Sequence, residues 1–278
     1  MGDGHRRAGR ALAATVALAI SSAAFAADLT PAPAPAPAST GWIVTLGAMG
    51  VVGPLYDGSN RYGITPAPSF SIRRPGTPPD LSSPDDSFDL TLFDNPWLKV
   101  GPVIALSIGR AVDMDRRLAG LDNYSWTVEP GLFVEWWPLP DQLRFRAEVR
   151  HGLRSEDGFV ADVGADLFHR AGAFTFSTGP RVKLADSDSM NLQFGVTPAA
   201  SARNGLVTPF SASGGFKSVG YTAAMNYDWS SQWRTTAYAR YDRLVGDAAS
   251  SPITKRFGSP NQLTVGLGAS YSFMFNGL

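Results

Sequence analysis

Ten charged residues occupy alternate positions in strand-like segments in the second half of the chain. They are Arg144, Arg146, Glu148, Arg150, Asp162, Asp166, Arg181, Lys183, Arg240 and Asp242. Side chains two residues apart lie on the same face of a strand. Each run of charges therefore marks one face of its strand, where opposite charges on neighbouring strands can form ion pairs.

The chemistry open to these charges depends on the direction in which the faces point. A Lys or Arg side chain on a lipid-facing surface at the bilayer midplane costs about 2–4 kcal/mol, so in a membrane barrel these charges are expected to point into the lumen. There they either fill the interior as a satisfied polar core, or line a narrow pore or ligand pocket and set its selectivity. A small barrel can be largely closed by its own side chains, and both interpretations stay open.

Hydrolysis by a serine–histidine pair is the other chemistry to consider. Such a site needs a histidine within hydrogen-bonding reach of a serine. Beyond residue 26 the sequence has only His151 and His169, each near the end of a strand or in a turn. It has no Gly-x-Ser-x-Gly motif and no metal-ligand cluster. We therefore predict a protein that is not an enzyme and has no cofactor.

The segment that indicates most clearly how the charges are positioned is the last one, Leu263 to Phe275. Large apolar side chains alternate there with Thr, Gly and Ser, so one face is apolar and the other is small and polar. Its 13 residues exceed the roughly 9–11 that a tilted strand needs to cross a bilayer. We predict an all-β fold, a transmembrane antiparallel β-barrel of twelve strands. About thirteen segments are candidates, but single-chain bacterial barrels have an even number of strands, so one segment among Tyr62–Arg73, with its two prolines, Ser87–Asp94 and their neighbours is expected to fall short of a full crossing. Ten strands is the alternative.

The beginning of the chain predicts how the protein is exported. Residues 1–26 have three arginines, then a short apolar run, then small residues, which is typical of a signal peptide cleaved between Ala26 and Ala27. Residues 27–40 alternate Pro with Ala and are expected to form an extended periplasmic lead. Residues 41–278 are then the barrel, and the predicted location is the cell outer membrane.

Composition excludes several classes of protein. The chain has 24 basic and 24 acidic residues, and removing the signal, with three basic and one acidic residue, leaves an excess of acid. That balance argues against nucleic acid as a partner. The absence of cysteine excludes disulfides. No apolar run of about 18 residues follows the signal, which argues against a helical membrane protein.

Several motifs, in order along the chain, resemble those of the MipA/OmpV family of outer-membrane proteins. The strongest is Tyr238–Ile253, whose signature positions are Arg243, Leu244, Gly246, Asp247, Ser251 and Pro252. Weaker matches are Gly53–Ser59, Gly101-Pro102, Gly109-Arg110, Gln193–Val196 and Gly268–Phe273. For the signature loop, a structural turn and a functional loop that enters the lumen or contacts a partner both stay open.

The resemblance implies an outer-membrane barrel and suggests partners. The family takes its name from a protein that links a murein-degrading lytic transglycosylase to a penicillin-binding protein. Our leading hypothesis is therefore a non-catalytic scaffold for murein-processing enzymes, held in outer-membrane lipid. The alternative is a small pore or ligand-binding barrel that uses the lumen charges, and an adhesin is the third hypothesis.

Overall fold

The computed structural model describes residues 41–276, which form one antiparallel sheet of twelve strands. This confirms the predicted fold class and strand number. Ten strands are long, from 9 to 15 residues: β1 (Trp42–Pro54), β2 (Tyr62–Arg73), β5 (Leu98–Ser107), β6 (Thr127–Leu139), β7 (Leu143–His151), β8 (Phe159–Ala171), β9 (Phe174–Ala185), β10 (Gly215–Asp228), β11 (Trp233–Leu244) and β12 (Asn261–Phe275). The other two, β3 (Phe88–Asp89) and β4 (Phe93–Asn95), are fragments that both pair with β5.

Strand β7 shows why the sequence folds in this way. Its arginines and glutamate are buried on one face, whereas Phe145 and Val149 are about half exposed on the other. The register places Arg144 opposite Asp166 on β8, and Arg150 forms an ion pair with Asp162 of the same strand. Opposite charges therefore lie side by side on the inner face, and apolar side chains are left to face lipid.

The contacts of two acidic residues show that the sheet curls around its charged face. Asp85 binds Arg181 of β9 and Arg240 of β11, and the adjacent Asp86 binds Arg144 of β7. In a flat sheet β7 and β11 would lie four strand spacings apart, about 19 Å. Guanidiniums on these strands converge on two consecutive residues, which indicates that the sheet curls around them. The charged face is therefore the lumen of a barrel.

The sheet order runs from β2 through β1 and β12 back to β5 and β3, and no ladder joins β2 to β3 in the described part of the chain. Strand β2 is a full-length strand even though it contains Pro66 and Pro68. Proline donates no backbone hydrogen bond and is tolerated at a sheet edge. The interrupted crossing is instead the one formed by β3 and β4.

The connections at the two ends of the barrel differ strongly. One end has the short turns 140–142, 172–173 and 229–232, and the other has the long connections 108–126, 152–158, 186–214 and 245–260. The long connections carry four helices: α1 (Ser187–Phe194), α2 (Pro198–Asn204), α3 (Gly246–Ser250) and α4 (Pro252–Phe257). None of the described helices is long and apolar enough to cross a membrane.

Local sequence explains where these helices begin. The side chain of Asp186 accepts a hydrogen bond from the backbone of Ser189, and Thr197 does the same for Ala200. Pro198 and Pro252 occupy first-turn positions, where the missing N–H costs nothing. The helices then pack on one another and on loop 55–61 through buried apolar side chains, among them Tyr56, Leu118, Val196, Ile253 and Phe257. We call this layer, made of loop 55–61 and the four long connections, the cap.

Three sequence predictions fall on the chain's beginning. The signal peptide over residues 1–26, its cleavage between Ala26 and Ala27, and the lead over residues 27–40 all lie outside the described residues.

Candidate functional site

The centre of the lumen network is Arg144, which is fully buried. Its guanidinium donates to Asp86 at 2.7 Å and to Glu135 at 2.8 Å through Nη1, and to Asp166 at 2.6 Å through Nη2. Burying an unpaired guanidinium would cost several kcal/mol. Three carboxylates offset that cost here, which fixes the side chain in one position.

Two further arginines of β7 extend the network along the same face. Arg146 lies 2.6 Å from Glu135, 2.7 Å from Glu148 and 2.8 Å from Asp89. Arg150 contacts Glu129 at 3.3 Å and also pairs with Glu148 and Asp162. Consecutive arginines therefore share acceptors, so that moving one of them disturbs its neighbours.

Residues 74–87, which we call the inner segment, connect β2 to β3, and residues 83–87 of the segment enter the lumen. Asp85 accepts hydrogen bonds at 2.9 Å from both Arg181 Nε and Arg240 Nη1. At the end of the segment, the Ser87 hydroxyl donates to Glu148 at 2.8 Å. The inner segment thus joins three strands of the barrel wall through charge-assisted bonds, which are about twice as strong as neutral ones.

The structure places all ten charged residues named in the sequence analysis on the inner face and brings them into one network. Beyond the pairs described above, Asp166 binds Arg181 at 2.7 Å, Arg240 binds Asp242 at 2.6 Å, and Lys183 lies 3.8 Å from Asp162. Whether these residues set the selectivity of a pore or pocket stays a prediction.

Sequence reasoning missed several members of this network, namely Glu129, Glu135, Asp85 and Asp86. The two glutamates were detectable from the sequence, because they lie an even number of residues apart in the segment that forms β6 and therefore share one face. The aspartates lie outside any periodic segment, so no pattern pointed to them.

A cavity of about 300 Å³ lies where the lumen meets the cap. Tyr56 and Gln193 line it from the cap, and Asp162, Lys183 and Lys217 line it from the strands. Lys217 donates at 2.6 Å to both Asp57 and Gln193. These bonds link the cap to the barrel wall at the edge of the cavity.

The signature loop lies in the cap rather than along the lumen. Ser251 is fully buried, and its hydroxyl donates to the Phe194 carbonyl at 2.7 Å. Asp247 accepts from the Ser213 N–H at 2.7 Å. The remaining signature positions surround these contacts: Arg243 is exposed at the end of β11, Leu244 is buried under α3, Gly246 (φ +53°) begins α3, and Pro252 begins α4.

Two buried carboxylates hold loops of the cap. Asp115 lies beneath Arg117, whose guanidinium is 2.6 Å away and holds the pKa of that carboxyl below its usual range. Asp157 is desolvated, which alone would raise its pKa. Hydrogen bonds from Arg154 and Thr127 outweigh this and hold the pKa of Asp157 below its usual range. Both groups stay charged at neutral pH and hold their loops in place.

The two histidines lie apart from the charge network. His151 contacts the carbonyl of Gly152 and packs edge-on against Phe159, with ring centroids 4.5 Å apart. His169 is exposed towards the short-turn end of β8. Neither ring is hydrogen-bonded to a serine within residues 41–276.

A comparison with known protein families shows to which family this chain belongs. The family model described as MltA-interacting protein MipA matches residues 46–273, from within β1 to within β12. This chain belongs to the MipA family. The match covers the barrel, the inner segment and the cap together, so the chain is an outer-membrane β-barrel protein of that family.

Solved structures that resemble this MipA-family chain are outer-membrane barrels. The NanC porin is 9% identical, with 84% of this chain and 100% of that chain covered and a TM-score of 0.38. An outer-membrane channel from Pseudomonas putida F1 is 9% identical (84% and 95% covered, TM-score 0.36). The Ralstonia pickettii toluene transporter TbuX is 11% identical (85% and 90% covered, TM-score 0.35). No curated protein matches the chain significantly in sequence.

Proposed function

We propose that this protein is a non-catalytic membrane anchor that holds a lytic transglycosylase at the short-turn end of its barrel. The observation that carries the proposal is the family match over residues 46–273, because the family is described by its interaction with MltA. We assign the short-turn end to the periplasm, where murein-processing enzymes work. A penicillin-binding protein recruited through the transglycosylase would complete the scaffold.

The filled interior supports an anchor rather than a wide pore. Arg144 is fully buried and bound by three carboxylates, and the inner segment occupies the lumen beside it. The cap packs over the other end with its own buried core. An interior of this kind stabilises the barrel and leaves its end surfaces to act on partners.

The short-turn end offers a rigid contact surface. Turn 140–142 is held by a backbone hydrogen bond from Gln142 to Leu139 at 3.0 Å, and Asp141 adopts a left-handed conformation (φ +61°). Turn 229–232 lies beside the Arg234–Asp228 pair at 2.6 Å. Turns that are fixed before binding lose little conformational entropy on association.

The test uses the purified barrel, immobilised in detergent, and a purified lytic transglycosylase of the MltA type. The double variant Asp141→Arg, Arg170→Glu reverses two exposed charges at the short-turn end and is expected to lower retention at least tenfold. The matched control is Arg203→Glu, an exposed charge of the cap. Migration that changes on heating checks that each variant is folded. Loss of retention in the control alone, or no retention by folded wild-type protein, would contradict the proposal.

The cavity favours a second candidate, a small pore or ligand-binding barrel. Planar-bilayer conductance of the wild type and of the Arg146→Ala, Arg181→Ala variant separates it from the anchor. Steady channels in the wild type that change in the variant would support a pore. For the anchor, we expect a silent wild type, and we expect His151→Ala, at the cap end of β7, to leave transglycosylase retention unchanged.

A further inference from the structure

The cavity beneath the cap has the size and the chemistry of a binding site. Its volume of about 300 Å³ is at the lower end of the range for small-molecule pockets, about 300–1,000 Å³. Seven acidic and six basic side chains line it. The wall is thus almost neutral, which favours a neutral ligand over an ion.

One charged pair in this wall, which we call the loose pair, is more widely separated than the neighbouring ion pairs. Lys183 Nζ lies 3.8 Å from Asp162 Oδ1, which is buried and accepts no hydrogen bond. The other carboxylate oxygen, Oδ2, accepts from Arg150. The second lysine of the cavity, Lys217, makes two bonds of 2.6 Å. Lys183 and Asp162 therefore leave a donor and an acceptor without a close partner beside the cavity, and one ligand group could satisfy both when the flexible lysine turns to admit it.

A hydroxyl group fits that pair, because it accepts from an ammonium and donates to a carboxylate at the same time. Other parts of the wall are apolar, with contributions from Ala105 and Val160, and suit C–H groups. We propose that the cavity binds one sugar-sized polyhydroxylated molecule, with a hydroxyl between Lys183 and Asp162. The site lies under the cap, and the proposal is independent of partner binding at the short-turn end.

Lysine suits this role better than arginine. The arginines of the lumen use planar, bidentate groups to fix strands, whereas an ammonium on a flexible stem can reorient towards a ligand. The side chains of Lys183 and Asp162 are 30% and 24% exposed, in contrast with 1% for both Arg144 and Asp166. The loose pair is therefore more accessible to a ligand than the ion pair at the centre of the network.

The test is saturation-transfer NMR with titration, using the full barrel refolded in detergent and glucose or N-acetylglucosamine as probes. Glycine betaine serves as a zwitterionic probe. We expect saturable binding of at least one sugar by the wild type, and at least a tenfold weaker affinity for Lys183→Met. The matched control is Lys99→Met, which removes an inward lysine that binds Asp80 at 2.8 Å and does not line the cavity. This control is expected to bind as the wild type does.

A second variant tests the proposal independently of any folding defect in Lys183→Met. Ala105→Leu adds volume to the cavity wall without touching an ion pair, and it is expected to abolish sugar binding while migration remains heat-modifiable. The proposal is overturned if the folded wild type binds neither sugar, if it binds only betaine, or if both cavity variants bind sugar as tightly as the wild type.

Discussion

The strongest test of the lumen network is the substitution Asp85→Asn, which preserves shape and removes one charge. Asp85 is 6% exposed and receives bonds from Arg181 and Arg240 at 2.9 Å each. The Ser83 hydroxyl also donates to it at 2.5 Å. Asparagine can accept only through its carbonyl oxygen, and its NH₂ group would then face a guanidinium. The variant therefore loses the charge complementarity that holds the inner segment to β9 and β11.

The size of the effect follows from what the two arginines retain. Removing one partner of a buried ion pair costs about 3–5 kcal/mol when the other charge is left alone. Arg181 keeps Asp166 and Arg240 keeps Asp242, so we expect a value at the lower end, about 3 kcal/mol. The matched control is Asp80→Asn in the same segment. Asp80 is 79% exposed, and an exposed pair contributes about 0–1 kcal/mol.

The measurement is the free energy of unfolding in urea, followed by tryptophan fluorescence and by heat-modifiable migration of the detergent-folded barrel. Adding Arg240→Gln to Asp85→Asn should cost less than the sum of the two single variants, because the uncompensated charge is removed as well. If Asp85→Asn is no more destabilising than Asp80→Asn, the inner segment is not held by this ionic contact and the reasoning fails.

Three further predictions concern the cap. Ser251→Ala should destabilise it by about 1–3 kcal/mol, because a buried main-chain carbonyl loses its donor; hydrogen exchange over residues 246–257 measures this. Arg117 holds the pKa of Asp115 low, so protease resistance of loop 108–126 should be constant at neutral pH. It should fall only below about pH 4, as the pH drops through the folded-state pKa, and Asp115→Asn should remove that dependence. Gly258→Ala should open the cap to proteases, because a Cβ there would lie 1.6 Å from the carbonyl oxygen of Gly58.

The strands could be predicted because apolar and polar side chains alternate from one residue to the next, which is a local pattern with a period of two. Strand β12 was delimited within two residues, and β7 has the charged and apolar faces that its alternation indicates. The cap could not be predicted in this way. Ser251 and Phe194 are 57 residues apart in sequence and meet at 2.7 Å, and connections between strands carry no periodic signal from which such a contact could be inferred.

The charge balance of the lumen residues gives information that the periodicity of the strands does not. The ten predicted lumen charges comprise six basic and four acidic residues, and a buried surplus of two positive charges is not stable without acceptors. Part of the compensation comes from β6, and part comes from Asp85 and Asp86, which the inner segment carries into the lumen. The arginines of β7, β9 and β11 and the inner segment therefore depend on one another. Withdrawing the segment to open a channel would take an acceptor from Arg144, Arg181 and Arg240 at once, which is why we place the proposed function at the ends of the barrel rather than in a conducting lumen.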